Sequence, residues 1–203
     1  MLNAQAYVSL EWEAEARHAK HGKDPDGQRV DTPDAAAKGI TKIPPERMWW
    51  KPGKNTGMPY KWGGFDTPQS FLERLEEPEV YAGDYATAAK VAGGNDAVSR
   101  YAAGIDCSGL VSRVWRLDRP YSTRELGALC KPIEWEKLHS GDILLLPGVH
   151  VMIFKRWNPG REGSELLALE AAGEPRWACN ETCYRVRFLK GLGYRPYCYR
   201  KMR

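Results

Sequence analysis

The 203-residue chain contains no apolar run approaching the roughly 20 residues that a helix needs to cross a bilayer, so no membrane-spanning helix is expected. Its start, MLNAQAYVSLEWEAEARHAK, lacks the basic lead and apolar block of a signal peptide. Lys and Arg are scattered, gathering only toward the end (YRVRFLKGLGYRPYCYRKMR), and the net charge of +4 is mild. Nucleic-acid binders carry a denser basic stripe, so no nucleic-acid partner is expected. There is no CxxC knuckle: Cys179 and Cys183 are spaced too widely and no His is near them, so no metal site is expected. No internal repeat is visible. Cysteine is present in an odd number, five, which leaves one working thiol if the other four pair. In an exported protein Cys130, Cys179, Cys183 and Cys198 would form disulfides in one of three pairings.

Apolar residues make up 42% of the chain, enough to bury a core at this length. Residues 3–20 read as a helix with Ala6, Tyr7, Leu10 and Ala14 on one face. Residues 22–46, rich in Gly, Pro, Asp and Lys, read as a linker, so that 1–46 form an arm and 47–203 the main domain. Short helices are expected from Pro68, over YATAAKVAG, from Cys107, and from the Ser122…Glu125 capping box. The period then changes. GDILLLPG, VHVMIFKRW, SELLALEAA, YRVRFLK and YRPYCYR read as strands between tight turns. Helices followed by a strand-rich half define an α+β fold with a largely antiparallel sheet.

Cys107 lies between Asp106 and Ser108-Gly109, where the helix carrying Leu110, Val111, Val114 and Trp115 begins. Unpaired N–H groups and the positive helix end stabilise a thiolate there, taking a cysteine pKa from about 8.5 toward roughly 3.5–7.5 in general. The same N–H groups can hold an oxyanion. A buried thiol with no chemistry is the competing assignment. A nucleophilic thiol needs a base. His18 and His21 sit among charges and are expected to face solvent, and His139 is expected in a loop. His150 follows the Pro147-Gly148 turn at the start of an apolar strand and is the candidate. Glu170, between Leu169 and Ala171, is either a buried carboxylate paired with protonated His150 or an outward-facing edge residue.

The order Tyr60-Lys-Trp-Gly-Gly, Asp106-Cys107-Ser108-Gly109-Leu110-Val111, Gly141-Asp142-Ile143-Leu144, His150-Val151 resembles the NlpC-type cysteine peptidases, bacterial cell-wall endopeptidases of papain-like fold. The resemblance covers about residues 58 to 172. It implies a nucleophile at the N-terminus of a helix packed on the sheet, with Cys107 as nucleophile and His150 as general base and acid. Glu170 stands where the family has a third polar residue, often His, Asn or Gln. Tyr60 stands beside the nucleophile, where its hydroxyl assists the oxyanion hole. Asp106, Ser108 and Trp62 fall on the substrate side. The implied substrate is a peptidoglycan stem peptide, cut between D-glutamate and the diamino acid without metal or cofactor. An extracytoplasmic location, secreted or periplasmic, follows, with the export signal missing from this sequence. A mildly basic surface suits an anionic polymer such as a cell wall as well as ordinary solubility.

Two features depart from the family pattern. A long insertion, residues 65–103, separates the Trp-Gly-Gly element from the DCSG segment. Glutamate is also an unusual third residue. Trp49, Trp50 and Trp62 either line the groove or seal the amino-terminal arm onto the core. The same residues are compatible with an N-acetylmuramoyl-alanine amidase or an acyltransferase using the same thiolate, a non-catalytic wall-binding module, or a structural protein with Cys107 in a disulfide. Oligomeric state is not encoded in any of these motifs.

Overall fold

The computed structural model describes residues 2–35 and 48–202. In chain order these form α1 (Leu2–Val8), β1 (Glu11–Ala14), β2 (His21–Lys23), β3 (Arg29–Asp31), β4 (Gly53–Thr56), α2 (Pro68–Leu75), β5 (Tyr81–Ala82), α3 (Ala88–Gly93), β6 (Ala102–Ala103) and α4 (Cys107–Val114). Then follow β7 (Cys130–Pro132), β8 (Ile143–Leu146), β9 (His150–Trp157), β10 (Glu165–Ala171), β11 (Cys179–Arg185), α5 (Val186–Leu192) and β12 (Arg195–Tyr199). The fold is mixed α+β with antiparallel sheets and five α-helices among the described residues. No helix among them is long and apolar enough to cross a membrane. The chain divides into two compact units.

The first unit comprises Met1–Gln5, Cys107–Glu170 and Asn180–Arg203. Its sheet has six strands in the order β11-β10-β9-β8-β12-β7. The β8–β9 hairpin is set by Gly148 at φ 77, in the left-handed region that glycine adopts without strain, and pairs Leu146 with His150. Gly141-Asp142 closes the other end of that hairpin: Gly141 N–H donates to Phe154 O at 2.9 Å, and Phe154 N–H to Asp142 O at 2.8 Å. The Trp115 indole, just past α4, donates to Gly141 O at 3.1 Å and stacks on Tyr199 at 4.8 Å. The helix is thereby pinned to the strands through Leu110 and Val111, both buried. A core of Leu144, Met152, Phe154, Leu166, Val186 and Leu189 packs around α5.

The second unit comprises Ala6–Asp106 and Ala171–Cys179. Here β1 pairs with β4, β2 with β3, and β5 with β6 in parallel. Gly104, at φ 145, lies so close to the Tyr60 segment that a Cβ there would sit 2.5 Å from Pro59 O. That contact explains a glycine immediately before the Ile105-Asp106 step.

Several sequence expectations are corrected. Residues 3–20 are not one helix: α1 stops at Val8, and Glu11–Ala14 alternates exposed and buried, the period of a strand. Trp12 drives this change, because its ring packs edge-on to Phe71 at 5.3 Å and Trp50 at 5.9 Å. The supposed linker carries the β2–β3 hairpin and buried Asp31, Thr32 and Asp34, while its residues 36–46 lie outside those described. His18 is buried, its Nδ1 accepting from Glu15 N–H, whereas His21 is exposed as expected, its Nε2 paired with Asp34 Oδ2 at 2.5 Å. The Ser122–Glu125 box forms its hydrogen bonds but leads into a 3-10 turn at Leu126–Leu129 rather than an α-helix. YRVRFLK is not a strand: β11 ends at Arg185 and α5 follows, burying Val186 and Leu189 at helical spacing. Trp49 and Trp50 are core residues, with indoles donating to Pro175 O at 2.9 Å and Ala82 O at 2.8 Å.

Candidate active site

The first unit brings together Cys107, His150 and Glu170. Cys107 is the first residue of α4 and is buried with a small exposed fraction, 7%. His150 opens β9, and its imidazole lies close enough to Cys107 for the sulfur to raise its pKa. Its Nε2 lies 2.8 Å from Glu170 Oε2, which leaves Nδ1 as the ring nitrogen for the thiol. The imidazole retains 17% exposure and the carboxylate 2%.

A bulge makes this pairing possible. The β9–β10 register shifts between Leu167 and Ala168, so that Ala168 faces Phe154 and Leu169 faces Ile153. Continued toward the strand ends, this register sets Glu170 diagonally from His150 on the same face. Without the extra residue every side chain beyond it would turn to the opposite face. The edge-residue assignment of Glu170 is therefore replaced by the paired one.

Burial is the largest influence on His150 and opposes its charge. The charge and hydrogen bond of Cys107, followed by those of Glu170, outweigh it and raise the pKa to about 10. Burial also weighs most on Glu170, pushing its pKa up, yet His150 and the hydroxyls of Thr182 and Tyr184 hold it below the usual carboxylate range. Thr182 Oγ1 donates to Glu170 Oε1 at 2.7 Å and Tyr184 OH donates to the same oxygen at 2.8 Å. The carboxylate is thus clamped on both oxygens, and its ionised form is the one that the clamp favours.

Thr182, Tyr184 and Tyr194 are site residues that sequence reasoning did not single out. The Tyr194 ring stands edge-on to the imidazole at 6.5 Å. Its hydroxyl is pushed above the usual tyrosine range by burial and by the negative charges of Glu170 and Cys107. The only sequence signal for these three was their place in the strand-rich half.

Ser108 is the second residue of α4 and half-buried, its carbonyl accepting from Ser112 Oγ at 2.8 Å. Tyr60, Trp62 and Asp106 belong to the second unit. There Tyr60 is buried edge-on to Trp177 at 5.2 Å, the Trp62 indole donates to Gly94 O at 3.1 Å, and Asp106 N–H donates to Gly64 O at 3.3 Å. All five cysteines are free thiols, with Cys183 exposed and the others buried. No cluster of three or more metal-ligating side chains occurs among the described residues.

Glu170→Gln tests what the carboxylate charge contributes. It keeps an acceptor for Nε2–H but removes a charge that holds the proton on the ring. The loss of a charge-assisted hydrogen bond predicts a fall in kcat/KM of about 10- to 100-fold. The alkaline limb of the pH profile, set near pH 10 by the imidazolium in the parent, should move downward. An unshifted limb would show that the charge is unnecessary.

Comparison with protein-family models, with curated proteins and with solved structures finds no match to this chain.

Proposed function

We propose that the chain is a papain-like cysteine hydrolase of NlpC type, acting on an amide bond of a peptidoglycan stem peptide. The observation that carries the reading is the line Cys107–His150–Glu170 within one unit, with the thiol at a helix start and the carboxylate buried. A nucleophile, a base with one nitrogen facing it and an orienting group on the other nitrogen form the constellation that thiol catalysis requires.

In this reading the Cys107 thiolate attacks the amide carbonyl carbon, and the electron pair moves onto oxygen. The N–H groups at the start of α4 receive that oxyanion. Its collapse breaks the C–N bond as the His150 imidazolium delivers its proton to the leaving amine. His150, now neutral, takes a proton from water, whose oxygen attacks the thioester and frees the acid and the Cys107 thiolate, restoring the thiolate–imidazolium pair. Glu170 holds the ring in register and stabilises its charge throughout. Tyr60, Asp106, Ser108 and Trp62 take their oxyanion and substrate-side roles from the family resemblance alone. So do the stem-peptide substrate, the D-glutamyl–diamino acid bond and the extracytoplasmic location.

The test is incubation of the reduced protein with purified muropeptides, with products read by mass spectrometry. The expected result is a fragment ending in D-glutamate and a second beginning with the diamino acid. A cut at the sugar–peptide link would make the chain an amidase, and no turnover of any muropeptide would sink the wall-peptidase assignment.

A further inference from the structure

The first unit holds a second feature, lined by residues other than Cys107, His150 and Glu170. An open cavity of about 570 Å3 lies where the β9–β10 connection meets the β11–α5 junction. Arg161, Arg185, Arg187 and Lys190 line it, against one carboxylate, Glu165. The two segments are tied together at this point by Val186 N–H donating to Ser164 O at 2.8 Å, so the cationic groups are carried on fixed backbone.

These cations are poorly neutralised from within. Glu165 Oε2 accepts from Asn158 Nδ2 at 3.0 Å. Its other oxygen is 4.0 Å from Arg161 and 3.8 Å from Arg185, ion pairs too long to be hydrogen bonds. Arg187 has no ion pair among the described residues, and Lys190 lies over the Trp135 ring at 5.5 Å, which places its ammonium without giving it an acceptor. None of the four donates a side-chain hydrogen bond to a described residue. Three guanidinium forks and an ammonium therefore converge on solvent with a surplus of three positive charges.

We propose that this cavity binds a phosphate-bearing chain, specifically the phosphodiester backbone of a polyol-phosphate polymer. Guanidinium forks match phosphate oxygens in pairs, and an ammonium adds a point charge. The volume falls within the general range of ligand sites, about 300–1,000 Å3, so it accommodates more than a single phosphate. No aromatic ring lines the cavity. Single-stranded nucleic acids are held by bases stacking on such rings, so the observations favour a backbone without bases. The site shares no residue with the Cys107 centre, and its occupancy is read without turnover, so its fate is separate from that of the hydrolase proposal.

The test begins with tripolyphosphate as the probe, titrated calorimetrically into the whole protein at about 50 mM and about 200 mM salt. Saturable binding that weakens with salt is expected. Arg187→Ala/Lys190→Ala should weaken it by about tenfold or more, given the strength of charge-assisted hydrogen bonds. The swap Arg187→Lys/Lys190→Arg should retain it. If the alanine pair fails to fold, Arg161→Gln provides the same reading from the other segment. No saturable binding at the lower salt, or equal binding by the alanine pair, overturns the site. Glycerol-phosphate oligomers are then compared with oligothymidylate of equal charge. Tighter binding of the glycerol phosphates supports the assignment, and equal or tighter binding of the oligonucleotide overturns it in favour of nucleic acid.

Discussion

Cys107→Ala, His150→Ala and the double variant are each expected to lose roughly 10^3-fold or more in kcat/KM on a cleavable muropeptide, and to lose it to about the same extent. The equality is the informative part. Cys107 and His150 act as one unit: without the sulfur there is no bond to carbon, and without the imidazole no proton reaches the leaving amine. Removing the second partner therefore costs little once the first is gone. Additive losses would mean that the two residues contribute independently, contrary to the electrostatic coupling between Cys107 and His150. Steady-state kinetics on the three variants decide it, with thermal unfolding as the control for folding. Truncation of Cys107 to alanine removes a single sulfur atom at the first residue of α4 and should shift Tm only slightly.

The line of the candidate site was legible because each member breaks a local pattern. Cys107 stands at the first position of an apolar helical stripe, His150 directly after a Pro-Gly turn, and Glu170 alone in an apolar strand. Their clamp was not legible. Thr182 and Tyr184 reach Glu170 only because β11 lies beside β10, and Glu170 reaches His150 only because of the bulge at Leu167/Ala168. A bulge leaves no mark in an alternation read one strand at a time. The N-terminal region failed for a related reason. His18 is surrounded locally by charge, and its burial comes from a distant segment whose Leu75 O lies 3.2 Å from its Nε2, whereas His21 stays exposed while pairing with Asp34. In YRVRFLK, Tyr184, Val186 and Phe188 alternate as in a strand, yet Phe188 is 55% exposed and the helix buries Val186 with Leu189 instead. Overall class survived because helix and strand signals segregate along the chain, which is a coarser property than any one register.

Lys90→Met is expected to cost about 3–5 kcal/mol of stability near neutral pH, the penalty for stranding a buried charge. Lys90 sits in α3 and is 3% exposed; Asp84, its partner, is fully buried. The Lys90 ammonium meets Asp84 Oδ1, which also accepts the Asp31 N–H at 2.9 Å. Asp84 Oδ2 is buried without a hydrogen-bond partner among the described residues, so Lys90 supplies the principal compensation for that carboxylate. Even with it, burial outweighs the lysine, the Asp31 amide and Lys61, and raises the Asp84 pKa to about 6. The sign of the pH effect follows. A carboxyl whose pKa is higher folded than unfolded stabilises the fold while protonated and loses that contribution as pH rises through the folded value. Removing the cation raises the folded value further, so Lys90→Met should be closest to the parent at pH about 5 and fall away above it. Asp84→Asn added to Lys90→Met removes the charge while keeping an acceptor for Asp31 N–H, and should restore most of the loss. Urea unfolding of the parent and both variants across this range reads the outcome. A Lys90→Met deficit independent of pH, or one that Asp84→Asn does not relieve, would assign the effect to lost packing of the lysine stem instead of to the stranded carboxylate.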